Sequence, residues 1–174
     1  MIAKFALAGA FTLAIASAGV VRAADAPTDP QIAHIAYTAG TIDIAAAKQA
    51  LTISKNPKVI AFAKEMVEDH AAVNDQVLAL AKKLGVTPEP NPTSAAMQTA
   101  AEAKRADYAK LSGEAFDKAY ATNEVAYHKV VNGALTDTLI PGAKNVELKS
   151  LLQTGLKLFQ EHQQHAEQLV AQLQ

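Results

Sequence analysis

The feature that most constrains the fold is a helical pattern that continues from Pro30 to the end of the chain. Apolar residues recur every three or four positions, and alanine, leucine, lysine, glutamate and glutamine dominate the composition. No stretch alternates polar and apolar residues with a period of two, as a half-buried strand would. The chain is therefore predicted to be all-α.

Start and stop signals divide this pattern into five helical segments. Asp29-Pro30 and Asn56-Pro57 each place a capping side chain before a first-turn proline, which predicts helices over about residues 30–53 and 57–84. Prolines interrupt residues 86–92, and helical composition returns over residues 94–111 with a weak apolar stripe. Two further helices are predicted on either side of a stop at Pro141-Gly142.

The order of these segments predicts the architecture. Two helices joined by a tight link, a long connection, and two more helices joined by a tight link are typical of a ferritin-like four-helix bundle. The crossover segment would contain the short extra helix. An up-down bundle with an irregular connection is the alternative.

The N-terminus has the pattern of an export signal. Lys4 precedes an apolar run from Phe5 to Val21, and Val21-Arg22-Ala23 resembles a cleavage site before Ala24. We therefore predict a signal peptide at residues 1–23, a short linker at 24–29, a bundle domain at 30–174 and a periplasmic location. An uncleaved membrane anchor is the alternative, although the polar tract after the run argues against stable membrane insertion.

Charge and cysteine content exclude several classes of partner and site. Lys4 and Arg22 would leave with the signal, so the 17 acidic residues outnumber the remaining basic ones and nucleic acid is not an expected partner. The chain has no cysteine, which excludes disulfides and thiolate metal sites. A protein partner or a homodimer stays open.

Ionisable residues interrupt the apolar stripes of four helices, where an unpaired charge would be costly to bury. Imidazole and carboxylate groups from facing helices are how bundles build metal sites. The predicted ligands of a transition metal, which could be copper, zinc or iron, are Asp43, His70, Glu124, His128 and His162. A buried polar network that binds nothing and only sets the helix register is the alternative.

Three further residues are candidates for the surroundings of such a site. Asp69 or Asp117 would orient a ring nitrogen from outside the ligand set, and Tyr120 would take part in proton transfer if the protein were an enzyme. The di-iron pattern of ferritin-like proteins requires two Glu-x-x-His motifs, and this chain lacks them before His70, His128 and His162. An oxygen-activating di-iron enzyme is therefore disfavoured.

Helix rise predicts how these residues are arranged along the bundle. At about 1.5 Å per residue, His70 and His128 fall at one level, with Asp43 and Glu124 close to it. Counting from a link near residue 141 places His162 about two turns away, level with Tyr120 and Asp117. The expectation is that His70 and His128 approach each other more closely than His128 approaches His162.

Two motifs carry a resemblance to a known family. The run Phe-Ala-Lys-x-Met-Val-x-Asp-His from Phe62 to His70, together with Phe116-Asp117-x-x-Tyr120, resembles the DUF4142 proteins. The resemblance covers about residues 30–172 and implies an exported bacterial protein with a ferritin-like fold, of the kind often labelled outer-membrane proteins. Family members often have Glu where this chain has Asp43.

Three functions are compatible with these observations. The leading hypothesis is an exported bundle that binds a transition metal and serves in metal binding, storage or stress protection, without catalytic turnover. The second is a metal-free envelope or interaction module with a structural polar network. The third is a metal-dependent oxidoreductase, for which the sequence identifies neither a substrate nor a reaction.

Overall fold

The computed structural model describes residues 26–174, and all regular structure in this part of the chain is helical. The predicted signal peptide lies outside the described residues. Helix α1 spans Asp29–Ile53, α2 Pro57–Lys83, α3 Pro92–Tyr108 and α4 Gly113–Ala134. Helix α4 continues through a π-helical turn, Leu135–Leu139, and one α-helical turn, Ile140–Gly142, and α5 spans Val146–Gln172. The predicted all-α class is confirmed.

Local capping explains where the helices begin. Asn56 accepts a hydrogen bond from the backbone N–H of Lys58 and precedes Pro57, and Asn91 accepts one from the N–H of Ser94 and precedes Pro92. Asn145 caps α5 in the same way by accepting from two backbone N–H groups. The predicted starts of α1 and α2 agree with the structure to within a residue, but the N-cap of α1 is Thr28, and the predicted cap Asp29 is the first helical residue and accepts hydrogen bonds from the N–H groups of Lys144 and Asn145.

Two helical segments differ from the sequence-based expectation. The crossover helix α3 has 17 residues and is not short. The fourth helical segment ends at Gly142, in agreement with the predicted stop at Pro141-Gly142, but it contains an unexpected π-helical turn just before Pro141, which has no N–H to donate. The link between α4 and α5 is Ala143 to Asn145, directly after the predicted stop.

The interior consists of two apolar clusters. The first cluster, near the link between α1 and α2, includes Ala47, Phe62, Met66, Tyr120 and Ala166. The second, near the link between α4 and α5, includes Ile32, Val77, Leu135, Leu152 and Phe159. On each of α1, α2, α4 and α5 the sequence passes from one cluster to the other, and Asp43, His70, Glu124, His128 and His162 lie at these transitions.

Helix α3 packs differently from the other four. Only Ser94 near its beginning and Tyr108 at its end are buried, and its middle covers a mainly apolar cavity of about 670 Å³ between α1, α4 and α5. Asp43 and Glu124 line the inner wall of this cavity. No helix in residues 26–174 is long and apolar enough to cross a membrane.

Candidate metal centre

The structure brings the five predicted ligands together at the boundary between the two apolar clusters. Helix α1 supplies Asp43, α2 supplies His70, α4 supplies Glu124 and His128, and α5 supplies His162. All five are at most 2% exposed. Four helices thus contribute to one buried polar centre.

Interatomic distances define the centre around the Asp43 carboxylate and the histidine rings. Asp43 Oδ2 lies 3.5 Å from His70 Nε2 and 3.6 Å from His128 Nε2. One ring nitrogen from each of His70, His128 and His162 lies within 4.8 Å of the other two, and a ligand atom each of Asp43, Glu124 and His128 does the same. His128 belongs to both groups and lies at the middle of the set.

The predicted separation of His162 from the other two histidines is wrong. The ring centroids of His128 and His162 are 5.4 Å apart, closer than the 5.6 Å between His70 and His128, and His70 and His162 are 5.2 Å apart. Counted from the observed helix ends, His128 lies about 21 Å from Gly142 and His162 about 24 Å from Val146. The error came from the position of the link, because its residues add to the sequence count without adding helix rise.

Hydrogen bonds fix the rings of His128 and His162. His128 Nδ1 lies 3.0 Å from the backbone oxygen of Glu124, which can only accept, so Nδ1–H donates and Nε2 carries a free lone pair. His162 Nε2 donates to the Asp69 carboxylate at 2.9 Å, which leaves its Nδ1 as the lone-pair atom. A carboxylate that holds a ring from behind in this way is the usual partner of a metal-binding histidine.

His70 is held by packing. Its ring stacks on Phe159 with centroids 4.7 Å apart and an interplanar angle of 13°. Neither ring nitrogen has a hydrogen-bond partner among the described residues. The stacking sets the plane of the ring while both nitrogens stay available.

Burial shifts the pKa values of the centre toward uncharged forms. It lowers the pKa of His128 to about 4, and burial, followed by the nearby His128 and His162, lowers the pKa of His70 well below its usual range. Burial also raises the pKa of Asp43 to about 7, and burial followed by the charge of Asp43 raises that of Glu124. Neutral imidazoles are the form that binds metal.

Many lone pairs in the centre have no hydrogen-bond partner within residues 26–174. They belong to both carboxylate oxygens of Asp43, Glu124 Oε2, His128 Nε2, His162 Nδ1 and one nitrogen of His70, whose other nitrogen carries the proton of the neutral ring and also lacks a partner. Buried polar atoms are normally paired, since an unpaired one costs about 1–3 kcal/mol. These atoms are all possible metal ligands.

The spacing of these atoms suits a cation. Nitrogen and oxygen ligands bonded at about 2.1 Å in a tetrahedron lie about 3.4 Å from one another. The distances from Asp43 Oδ2 to His70 Nε2 and His128 Nε2, 3.5 and 3.6 Å, are close to this value. The residues present therefore fit a transition metal ion.

Comparison with known protein families agrees with the motifs that carry the ligands. The sequence profile described as "Domain of unknown function (DUF4142)" matches residues 16–169. The chain belongs to the DUF4142 family. No curated protein and no solved structure matches the chain.

The DUF4142-like run from Phe62 to His70 contributes to both the core and the centre. Phe62 and Met66 are fully buried in the first apolar cluster, His70 faces the polar centre, and Asp69 binds His162. The motif therefore combines packing residues with residues of the candidate site on one helix.

The second motif lies beside the centre. Asp117 accepts a hydrogen bond from the Ser54 hydroxyl at the α1–α2 link and makes none to a histidine. Tyr120 stacks on Phe116 with centroids 6.1 Å apart. Burial, followed by the charges of Glu124 and Asp43, raises the pKa of Tyr120 well above its usual range, so its hydroxyl stays protonated.

Two residues outside the predicted set extend the site toward the surface. Glu65 on α2 accepts from His165 Nδ1 on α5 at 2.8 Å, beside the Asp69–His162 pair. Spacing could have indicated them, because Glu65 precedes Asp69 by one turn of α2 and His165 follows His162 by one turn of α5. Both pairs therefore lie on facing helix surfaces.

Proposed function

We propose that this DUF4142 protein is an exported periplasmic protein that binds a transition metal ion in its interior, for binding, storage or stress protection and without catalytic turnover. The observation that carries the proposal is the convergence of buried nitrogen and oxygen atoms from four helices into groups that can hold a metal ion. A cation bound among them would satisfy these atoms together.

A metal-free polar network explains these atoms less well. In such a network the buried groups satisfy one another, and unpaired members make it less stable than an apolar core. Here both nitrogens of His70, His128 Nε2 and His162 Nδ1 lack hydrogen-bond partners among the described residues, whereas the carboxyl groups of Asp43 and Glu124 can share a proton. This pattern favours a bound ion.

The chemistry of the ligands narrows the choice of metal. Three imidazoles and two carboxylates supply only nitrogen and oxygen, which suit zinc, copper(II) and iron(II) better than copper(I), a metal that prefers sulfur ligands. Calcium and magnesium prefer sites made of oxygen ligands. We therefore propose zinc, copper or iron as the bound metal.

The decisive experiment is metal analysis of protein purified from a periplasmic fraction without chelator, followed by titration of the stripped protein with Zn²⁺, Cu²⁺ and Fe²⁺. We expect one of these metals to bind with a dissociation constant below about 1 μM, corresponding to roughly 8 kcal/mol. His70→Ala should abolish this binding. His34→Ala is the matched control, because His34 lies on α1 outside the centre and bonds to Thr38.

Failure of all three metals to bind in this range, or binding that is the same in His70→Ala, would exclude the proposed function. A stability loss in His70→Ala without a change in metal affinity would then support the metal-free network.

Export is supported by the signal-like pattern of residues 1–23. The intact mass of the protein from the periplasmic fraction tests this part of the proposal. We expect a chain that begins at Ala24. Recovery of the full-length chain from the cytoplasm would contradict it.

We also propose that the arrangement is ferritin-like. The support is the order of two tightly linked helix pairs, α1 with α2 and α4 with α5, separated by a long segment that contains α3. An experimental structure tests the proposal through the relative directions of α2 and α4, which a long crossover makes parallel.

A further inference from the structure

We propose that Glu65, Asp69, His162 and His165 form a second, outer cation site through which a divalent metal ion reaches the interior centre. The existence of the outer site can be measured by itself. Only the claim that the ion passes from it to the interior centre rests on the proposed function. Oxygen atoms of Glu65 and Asp69 and a ring nitrogen of His162 lie within 4.8 Å of one another. Two carboxylates and an imidazole are a ligand set that binds divalent transition metals.

The outer site is open to solvent, whereas the interior centre is not. The side chains of Glu65 and His165 are 39% and 43% exposed, and Asp69 is 35% exposed. A hydrated cation loses its water in stages, and partly exposed charged ligands reduce the cost of the first stage. These groups are therefore placed to capture the ion before it is buried.

His162 connects the two sites through its two ring nitrogens. The ring offers one lone pair at a time. With its proton on Nδ1, Nε2 can bind an ion in the outer site, and with Nε2–H donating to Asp69, the buried Nδ1 can bind an interior ion. The ring centroid lies 5.2 Å from that of His70 and 5.4 Å from that of His128. One side chain thus contacts both the surface ligands and the interior ones.

The opposite approach, through the cavity under α3, is unfavourable for a cation. The cavity reaches Asp43 and Glu124, but apolar side chains such as Ile35, Met97 and Val130 form most of its lining. Lys104 and Arg105 also line it and would repel a positive ion. The polar surface between α2 and α5 is the better route.

Loading kinetics test the route. Apo protein receives Zn²⁺ from a weak chromophoric chelator in a stopped-flow instrument, and the equilibrium affinity is measured by titration with the same chelator. The double variant Glu65→Gln/His165→Gln should take up Zn²⁺ about tenfold or more slowly, as expected when a charged capture site is removed. Its equilibrium affinity should equal that of the wild type, because neither residue belongs to the interior set. Glu68→Gln, an exposed carboxylate on the same helix, is the matched control.

A second measurement tests the outer site independently of the interior one. His70→Ala, with its interior set disabled, should retain a weaker Zn²⁺ site that disappears when Glu65→Gln and His165→Gln are added. Unchanged loading rates in the double variant together with no residual Zn²⁺ site in His70→Ala would overturn the inference. Faster loading in a Lys104→Gln variant than in the wild type would also overturn it, because removal of this positive charge speeds uptake only if the ion passes through the cavity. If the wild type binds no metal in the interior centre but does bind Zn²⁺ at the outer site, the proposed function alone is contradicted.

Discussion

At the scale of single residues, the contact between Asp69 and His162 links the surface to the interior. The Asp69 carboxylate accepts a hydrogen bond from Nε2–H of His162, with 2.9 Å between Nε2 and Oδ2. This bond directs Nδ1 of His162 toward the other histidines. Replacing such a partner typically lowers metal affinity by about 10- to 100-fold. We expect this loss in Asp69→Asn, measured by Zn²⁺ competition titration. Asp75→Asn, an exposed site on the same helix, should leave the affinity unchanged, and equal affinities in the two variants would contradict the assigned role.

The carboxyl group of Asp43 predicts how metal binding depends on pH. Burial raises its pKa to about 7, so below this pH the group carries a proton that a cation must displace. Zn²⁺ affinity should therefore fall as the pH is lowered from 8 to 6, approaching about tenfold per pH unit for each displaced proton. The imidazoles of His70 and His128 stay neutral over this range because burial lowers their pKa values.

Competition titrations at pH 6, 7 and 8 measure this dependence. Asp43→Asn removes one of the carboxyl protons that the metal must displace and leaves that of Glu124, so its weaker binding should vary less steeply with pH. A wild-type affinity that is constant over this range would contradict the prediction.

At the scale of the helices, the close approach of α1 to α2 depends on Gly40. A methyl group at this position would overlap the side-chain amide of Asn74, which is buried and donates to Thr41 at 3.2 Å. Gly40→Ala gains about 1 kcal/mol of helix propensity, but overpacking typically costs about 1–3 kcal/mol. Gly133→Ala, on α4 with no atom within 4 Å of the added group, gains the same propensity without the clash.

Urea unfolding of the two glycine variants isolates the clash. We expect Gly133→Ala to be more stable than Gly40→Ala by about 1–3 kcal/mol. Equal free energies of unfolding would show that α2 moves away from α1 at no cost.

At the scale of the whole molecule, a metal held by four helices stabilises all of them together. A ligand at 1,000 times its dissociation constant adds about 4 kcal/mol to the free energy of unfolding. For a domain of this size that corresponds to a rise in Tm of about 8–16 °C. We expect a chelator to lower the Tm of the metal-loaded wild type by this amount and to lower the Tm of His70→Ala much less, because only the weaker outer site remains in that variant. The same Tm for wild-type protein with and without chelator would contradict a shared site.

Local chemistry is sufficient to predict much of this protein. Asn56-Pro57 and Asp29-Pro30 identify helix starts to within a residue, because capping by Asn56 and the geometry of a first-turn proline depend only on neighbouring residues. The helical period also places Asp43, His70, Glu124, His128 and His162 on inward faces, and the motif from Phe62 to His70 identifies the family.

Only the tertiary structure decides how these residues meet. The π-helical turn at Leu135–Leu139 and the link at Ala143 to Asn145 set the level of His162 along the bundle. A link placed a few residues earlier would move His162 away from the other histidines and give two polar centres in place of one. The partners Asp69 and Glu65 depend on which faces of α2 and α5 pack together. The physical reason is that helix rise and capping act over a few residues, whereas the register of two packed helices depends on side chains far apart in the sequence.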